Sequence, residues 1–203
     1  MNSNVHLDRV QYPLQPTHSA TVGPVPEIGA LLAQKPNARI AVVQGSFDWF
    51  HNGHLALVEA VANAKGPDGQ PFDRVVILPT WTYDRKPYLR NAFQRRIDLA
   101  RAAIATTSAM AGRVLVSDAM YSNLTADRAL PNGPAQMMEA LCTAYPKARF
   151  AYCLGGDSFD ESANHERWSG FDYVENSPRI DLIAVDRGGH QIQTPNRADG
   201  RIK

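Results

Sequence analysis

The chain has 203 residues, 44% of them hydrophobic and 20% charged, and its 21 Lys and Arg nearly cancel 20 Asp and Glu. That balance argues against a polycationic nucleic-acid coat or an acidic tail, and no run approaches the roughly 18 apolar residues that span a bilayer. What remains is one ordinary core, expected in the cytoplasm: residues 1–20 lack the basic start and apolar run of a secretion signal, and Cys142 and Cys153 have neither staple nor metal-ligand spacing.

Residues 1–38 carry Pro13, Pro16, Pro24, Pro26 and Pro36 and no sustained periodicity, which predicts an extended N-terminal arm with a helical turn around 27–34. From Arg39 the pattern changes, and 39–203 reads as one domain. Short runs rich in β-branched residues occupy 40–43, 75–78, 114–116, 150–154 and 182–185, separated mostly by segments of helical spacing. The first such segment has Leu55, Val58, Val61 and Ala62 on one face and is expected to end at Lys65-Gly66-Pro67. A second is expected to start at Asn91 as cap, with Phe93, Ile97, Ala100 and Ile104 inward. A third begins near Asn132-Gly133-Pro134 and turns Met137, Met138, Leu141 and Tyr145 inward. Strands alternating with helices predict an α/β fold: a Rossmann-like, doubly wound five-stranded parallel sheet.

Ligands of such sheets bind beyond the carboxyl ends of the strands, where strand order reverses. Two loops would meet there. One is Gly45-Ser46-Phe47-Asp48-Trp49-Phe50-His51-Asn52-Gly53-His54 and the other Gly155-Gly156-Asp157-Ser158. Both lead to helix starts, whose free N–H groups and positive dipole ends suit phosphate. His51 and His54 fall one helical turn apart, so both can face one anion, donating hydrogen bonds or carrying positive charge as phosphate charge builds. Two other readings stand beside this one: a helix cap for one histidine, and a zinc pair that lacks a third ligand at a recognisable spacing.

Residues 45–54 resemble the nucleotidyltransferase signature G-[ST]-F-D-x-x-H-x-G-H, and from Arg39 to Gly189 the chain is similar to the nicotinate-nucleotide adenylyltransferase branch. Ile77-Leu78-Pro79 with Arg85-Lys86-Pro87 resembles that branch's proline-and-lysine loop. Arg96 to Ala100 resembles its arginine-led helix, 150–158 its fourth strand and G-x-D-S turn, and Asp186-Arg187-Gly188 the end of its fifth strand. The resemblance implies transfer of AMP from ATP to a mononucleotide acceptor, nicotinate mononucleotide foremost, with release of pyrophosphate and Mg²⁺ between phosphate oxygens. It implies catalytic roles for His51, His54 and Lys86. It implies nucleotide contacts for Gly45, Ser46, Phe47, Gly53, Gly155, Asp157, Ser158, Arg96 and Arg187.

Some assignments stay open at this level. Lys86 taken alone is an ordinary solvated charge, and only one of Arg95 and Arg96 need reach phosphate, the resemblance favouring Arg96. Trp168 either stacks on a pyridine ring or packs, and Trp49 with Phe50 either walls the acceptor pocket or anchors the turn. The branch's serine-tyrosine-threonine segment is replaced by 132–137, and its C-terminal T-x-x-R turn has only Thr194-Pro195-Asn196-Arg197 as an echo. The acceptor is therefore open, as are CTP as donor, a non-catalytic nucleotide sensor, and self-association. Partners are expected to be small nucleotides, with neither nucleic acid nor membrane.

Overall fold

The computed structural model of the chain describes residues 25–80, 92–122, 133–163 and 171–186. Five strands form one parallel sheet: β1 (Arg39–Gly45), β2 (Arg74–Pro79), β3 (Val114–Val116), β4 (Arg149–Gly155) and β5 (Ile180–Val185). Their order is β3-β2-β1-β4-β5, the doubly wound arrangement expected. The three central strands β2, β1 and β4 are buried along nearly their whole length, which is why their sequences are unbroken apolar runs instead of alternating ones. Edge strand β5 alternates buried with half-buried residues.

The helices are α1 (Pro26–Gln34), α2 (Asn52–Asn63), α3 (Phe93–Ala105), α4 (Ala119–Ser122), α5 (Pro134–Ala144), α6 (Gly156–Ala163) and α7 (Phe171–Asn176). With right-handed crossovers, α2 and α3 cover one face of the sheet and α5 and α7 the other. Accordingly α3 packs on β2 and β3, and α5 packs on α7. Among the described residues no helix is long and apolar enough to cross a membrane.

Three local readings are corrected. The segment around 27–34 is a nine-residue helix, more than a turn, and it is docked: Val25 and Ile28 are buried. The Tyr145 hydroxyl donates to the Val25 carbonyl at 2.7 Å and accepts its N–H at 2.9 Å, a long-range tie that local periodicity could not reveal. Helix α2 stops at Asn63 with Ala64 as its C-cap, short of Lys65-Gly66, and Leu57 joins Val58, Val61 and Ala62 in the core while Leu55 is half-buried. Gly66 has a different use, since a Cβ there would lie 1.8 Å from the Arg39 guanidinium. Helix α3 has Ala92 at its N-cap with no side-chain cap, and Asn91 lies outside the described residues.

Candidate active site

The carboxyl end of the sheet is a single row. Gly45 pairs with Pro79 of β2, and Gly155 pairs with Val185 of β5. The β1–β4 register, Val43 opposite Cys153, continued two residues brings Gly45 beside Gly155, one strand spacing of about 5 Å away. The loop that leads to α2 and the start of α6 therefore leave neighbouring strands at the same height, at the switch point of the sheet.

The 45–51 loop turns sharply. Phe47 and Trp49, which are not glycines, both have φ of 44°, a left-handed conformation that costs L-residues roughly 1–2 kcal/mol each. Packing holds it: the Phe47 ring is buried and lies over Gly45, where a Cβ would come within 3.1 Å of it. Phe50 packs on Phe47 and on His54, ring centroids 5.6 Å apart in each case, and Phe47 meets the His54 ring edge-on at 5.0 Å. Phe50 is thus the anchor of the turn, whereas Trp49 is 55% exposed.

His51 is the N-cap of α2 and its Nδ1 accepts the Gly53 N–H at 3.1 Å, while His54 Nδ1 accepts the His51 N–H at 3.5 Å. These reciprocal bonds form a capping box built from two imidazoles. The rings stack with centroids 3.8 Å apart and planes inclined by 24°. Gly53 makes this possible, because a Cβ there would sit 3.1 Å from the His51 ring. The cap and the functional reading are therefore compatible. An imidazole that accepts at Nδ1 has its N–H donor at Nε2. Chemically, imidazoles so placed suit the hydrogen-bond donation to an anion that the spacing suggested. His51 is exposed and His54 half-buried, so both are open to solute. Among the described residues no group of three His, Cys, Asp or Glu could hold a metal ion.

Helix α6 starts immediately after β4, with Gly155 and Gly156 buried and Asp157 and Ser158 half-buried in its first turn. An acidic residue there is favoured by the helix dipole, and its two oxygens accept hydrogen bonds from hydroxyls. The first turn of α2, by contrast, carries no acidic residue and is capped by the two imidazoles.

No protein-family profile matches the chain. It is 27% identical, over 165 residues and 79% of its length, to a probable nicotinate-nucleotide adenylyltransferase from Symbiobacterium thermophilum. It is 33% identical over 103 residues, 51% of its length, to a phosphopantetheine adenylyltransferase from an Arthrobacter species. It spans 68% and 56% of those relatives' lengths. Its fold matches that of Plasmodium falciparum nicotinic acid mononucleotide adenylyltransferase complexed with NaAD, with a TM-score of 0.60 at 18% identity, covering 77% of this chain and 68% of that one. The chain is similar to nucleotidyltransferase enzymes, and among them to nicotinate-nucleotide adenylyltransferases.

Against this nucleotidyltransferase background, the remaining expected residues fall into two groups. Lys86, Arg187, Trp168 and the Thr194–Arg197 echo lie outside the described residues. The two arginines of α3 separate cleanly: Arg95 is exposed and Arg96 is 1% exposed. The Arg96 Nη1 donates to the Thr80 carbonyl at 2.9 Å and to the Ser46 carbonyl, with the Phe93 ring 5.3 Å from the guanidinium carbon. Burial lowers its pKa, and the Asp48 carboxylate opposes that change. Sequence offered a signal for this placement: Arg96 lies at i+3 from Phe93 and four before Ala100, on the apolar stripe, while Arg95 lies off it. Thr80, whose N–H donates to the Gly45 carbonyl at 2.8 Å, and Gln44, which accepts the Tyr152 hydroxyl at 3.3 Å, also support the loop and were not among the residues singled out.

Proposed function

We propose that the chain is an adenylyltransferase joining AMP from ATP to a mononucleotide acceptor, nicotinate mononucleotide, with release of pyrophosphate. The observation that carries this reading is the stacked His51–His54 pair at the start of α2, on the loop that leaves β1 beside the β4 turn bearing Asp157. The likeness to nicotinate-nucleotide adenylyltransferases supports the same chemistry.

In this mechanism an oxygen of the acceptor's 5′-phosphate attacks the α-phosphorus of ATP in line. The bond from that phosphorus to the β-bridging oxygen breaks, and its electron pair leaves on pyrophosphate. A phosphate is a competent nucleophile at neutral pH, so no covalent intermediate on the protein is required. The protein's work is alignment and charge dispersal. His54 and His51 donate Nε2–H to triphosphate oxygens, His54 nearest the α-phosphate, and the positive end of the α2 dipole adds its partial charge. Backbone at Gly45, Ser46, Phe47 and Gly53 runs beside the nucleotides. Asp157 accepts ribose hydroxyls, with Gly155 and Ser158 lining the same turn, and Lys86 and Arg187 supply cations to phosphate.

Mg²⁺, a small hard cation that keeps water ligands and takes substrate phosphates, would be brought to the site with the triphosphate. When bound it would offset charge on the leaving pyrophosphate. Two buried, free cysteines suit a reducing compartment, and we place the enzyme in the cytoplasm.

The test is pyrophosphate release by the purified chain over ATP and CTP, each with nicotinate mononucleotide, nicotinamide mononucleotide and 4′-phosphopantetheine. Turnover is expected with ATP and nicotinate mononucleotide. Preference for another pair redirects the acceptor or donor assignment, and tight ATP binding with no turnover on any acceptor refutes the catalytic reading.

A further inference from the structure

We propose that Arg96 is a positioning residue of this site, which fixes the left-handed turn beneath the histidine pair from the interior instead of touching the nucleotide. The catalytic part of this inference rests on the adenylyl-transfer reading; its structural part does not.

The guanidinium is at the centre of a small construction. One of its nitrogens, Nη1, takes two carbonyls, Ser46 from the loop after β1 and Thr80 from the end of β2. Thr80 in turn donates its N–H to the Gly45 carbonyl, so the ends of two central strands are tied together around one cation. The Ser46 carbonyl belongs to the same peptide plane as the Phe47 nitrogen. Holding that oxygen fixes the plane from which Phe47 departs with φ of 44°. The Phe47 ring then covers Gly45 and meets the His54 ring edge-on, completing a chain of contacts from Arg96 to the imidazole.

Two features argue against a phosphate ligand. The side chain is 1% exposed, and one face of its guanidinium is taken by Phe93. A residue that strains the backbone needs surroundings that over-determine the strain. A planar, always charged fork that can bind several carbonyls supplies this better than a lysine ammonium, which has the donors but no plane to lie on Phe93.

The test compares Arg96→Met, Arg96→Lys and, as an exposed neighbour, Arg95→Ala by hydrogen exchange, thermal midpoint and kinetics. With the clamp lost in Arg96→Met, amides of 46–54 are expected to exchange at least tenfold faster while those of 150–154 stay protected. The turnover number should fall by about tenfold to a hundredfold, the range a misplacement of about 1 Å can produce, with KM for ATP nearly unchanged. Arg96→Lys should recover part of both effects, and it carries the same comparison if the methionine variant fails to fold. Arg95→Ala should match the parent. A rise in KM for ATP with unaltered exchange at 46–54 would make Arg96 a phosphate contact and overturn the proposal. Faster exchange everywhere, with an unchanged turnover number in the folded protein, would make it a general stability residue and overturn it equally. Should the parent turn over no substrate, the adenylyl-transfer reading fails while the exchange comparison still decides the role of Arg96.

Discussion

The two ends of the sheet handle polar groups in opposite ways. At the amino end, Arg39 pairs with Asp68 and Asp181 while its guanidinium lies over Phe72, and Asp73 accepts from both Lys35 and the Arg39 N–H. Charges there are answered by charges of the same chain. At the carboxyl end, two non-glycine residues sit in the left-handed region and two imidazoles share a helix cap that no charged side chain of the first turn of α2 joins. Stability is concentrated where the chain satisfies itself, and backbone strain where a ligand would complete the set.

That contrast predicts which substitutions separate activity from stability. The largest effect is expected at His54. Removing one donor to a developing anion typically costs about 10²–10³ in rate, so His54→Ala should lower pyrophosphate release by that factor, with the loss of half a capping box costing only about 1 kcal/mol of stability. Near-parental turnover in a folded His54→Ala protein would remove the histidine from the chemistry. His51 allows a finer separation, because asparagine is among the best N-cap residues. His51→Asn should keep the thermal midpoint close to that of the parent and still lose activity, whereas His51→Ala should lose both. An active His51→Asn enzyme would reduce His51 to a cap.

Gly53→Ala comes next and should move the two properties in opposite directions. Its Cβ, 3.1 Å from the His51 ring, must tilt that ring off its partner, and a roughly tenfold loss of turnover is expected, below the limit for a 1 Å misplacement. Alanine's helix propensity, worth up to about 1 kcal/mol over glycine, should hold or raise the melting temperature. A more stable and equally active variant would show that the ring stack is dispensable.

At the amino end the expectation reverses. Arg39→Met keeps an apolar stem over Phe72 but leaves Asp68 and Asp181 without their cation, and the cost should be about 1–3 kcal/mol in unfolding free energy. The turnover number should be unaltered, since the change lies a full strand length from the imidazoles. A drop in turnover matching the His54 variants would erase the division between the two ends.

The sequence made the carboxyl end partly legible for a physical reason: buried parallel strands must be apolar on both faces, so 40–43, 75–78 and 150–154 announced themselves and their ends located the switch point. The glycine-rich turns and His51-x-x-His54 followed from spacing. What could not be read was anything decided by a distant partner. Val25 is buried because Tyr145 reaches it, and a proline-rich segment gives no hint of that. Phe47 and Trp49 adopt a conformation their side chains disfavour, and around Phe47 the loop is packed by Gly45 and Phe50 and held at Ser46 by Arg96. Arg96 lies on the apolar stripe of α3, and its charge masks the burial that this position implies. The ending of α2 was misplaced because Gly66, which makes room for Arg39, imitates a helix stop.

The smallest effect expected is at Asp73, and it takes the form of a pH dependence. Burial by itself would raise the Asp73 pKa; the hydrogen bond from Lys35 at 2.6 Å, the Arg39 N–H at 2.8 Å and the charges of both residues outweigh it and hold the carboxyl below its ordinary value. A group with a depressed folded-state pKa binds protons more readily when unfolded. Its stabilisation is therefore complete above the ordinary carboxylate range and disappears as pH falls through the lower, folded value. Lys35 is 60% exposed, so screening keeps the gain modest. Thermal melts of the parent and Asp73→Asn should differ at about pH 7 and converge as pH falls through the depressed folded-state value. The convergence should weaken in high salt, which screens the Lys35 contribution but not the Arg39 backbone bond. A gap independent of pH would mean that Asp73 acts through shape and neutral hydrogen bonding alone, and that the amino end is held together by Arg39 without its help.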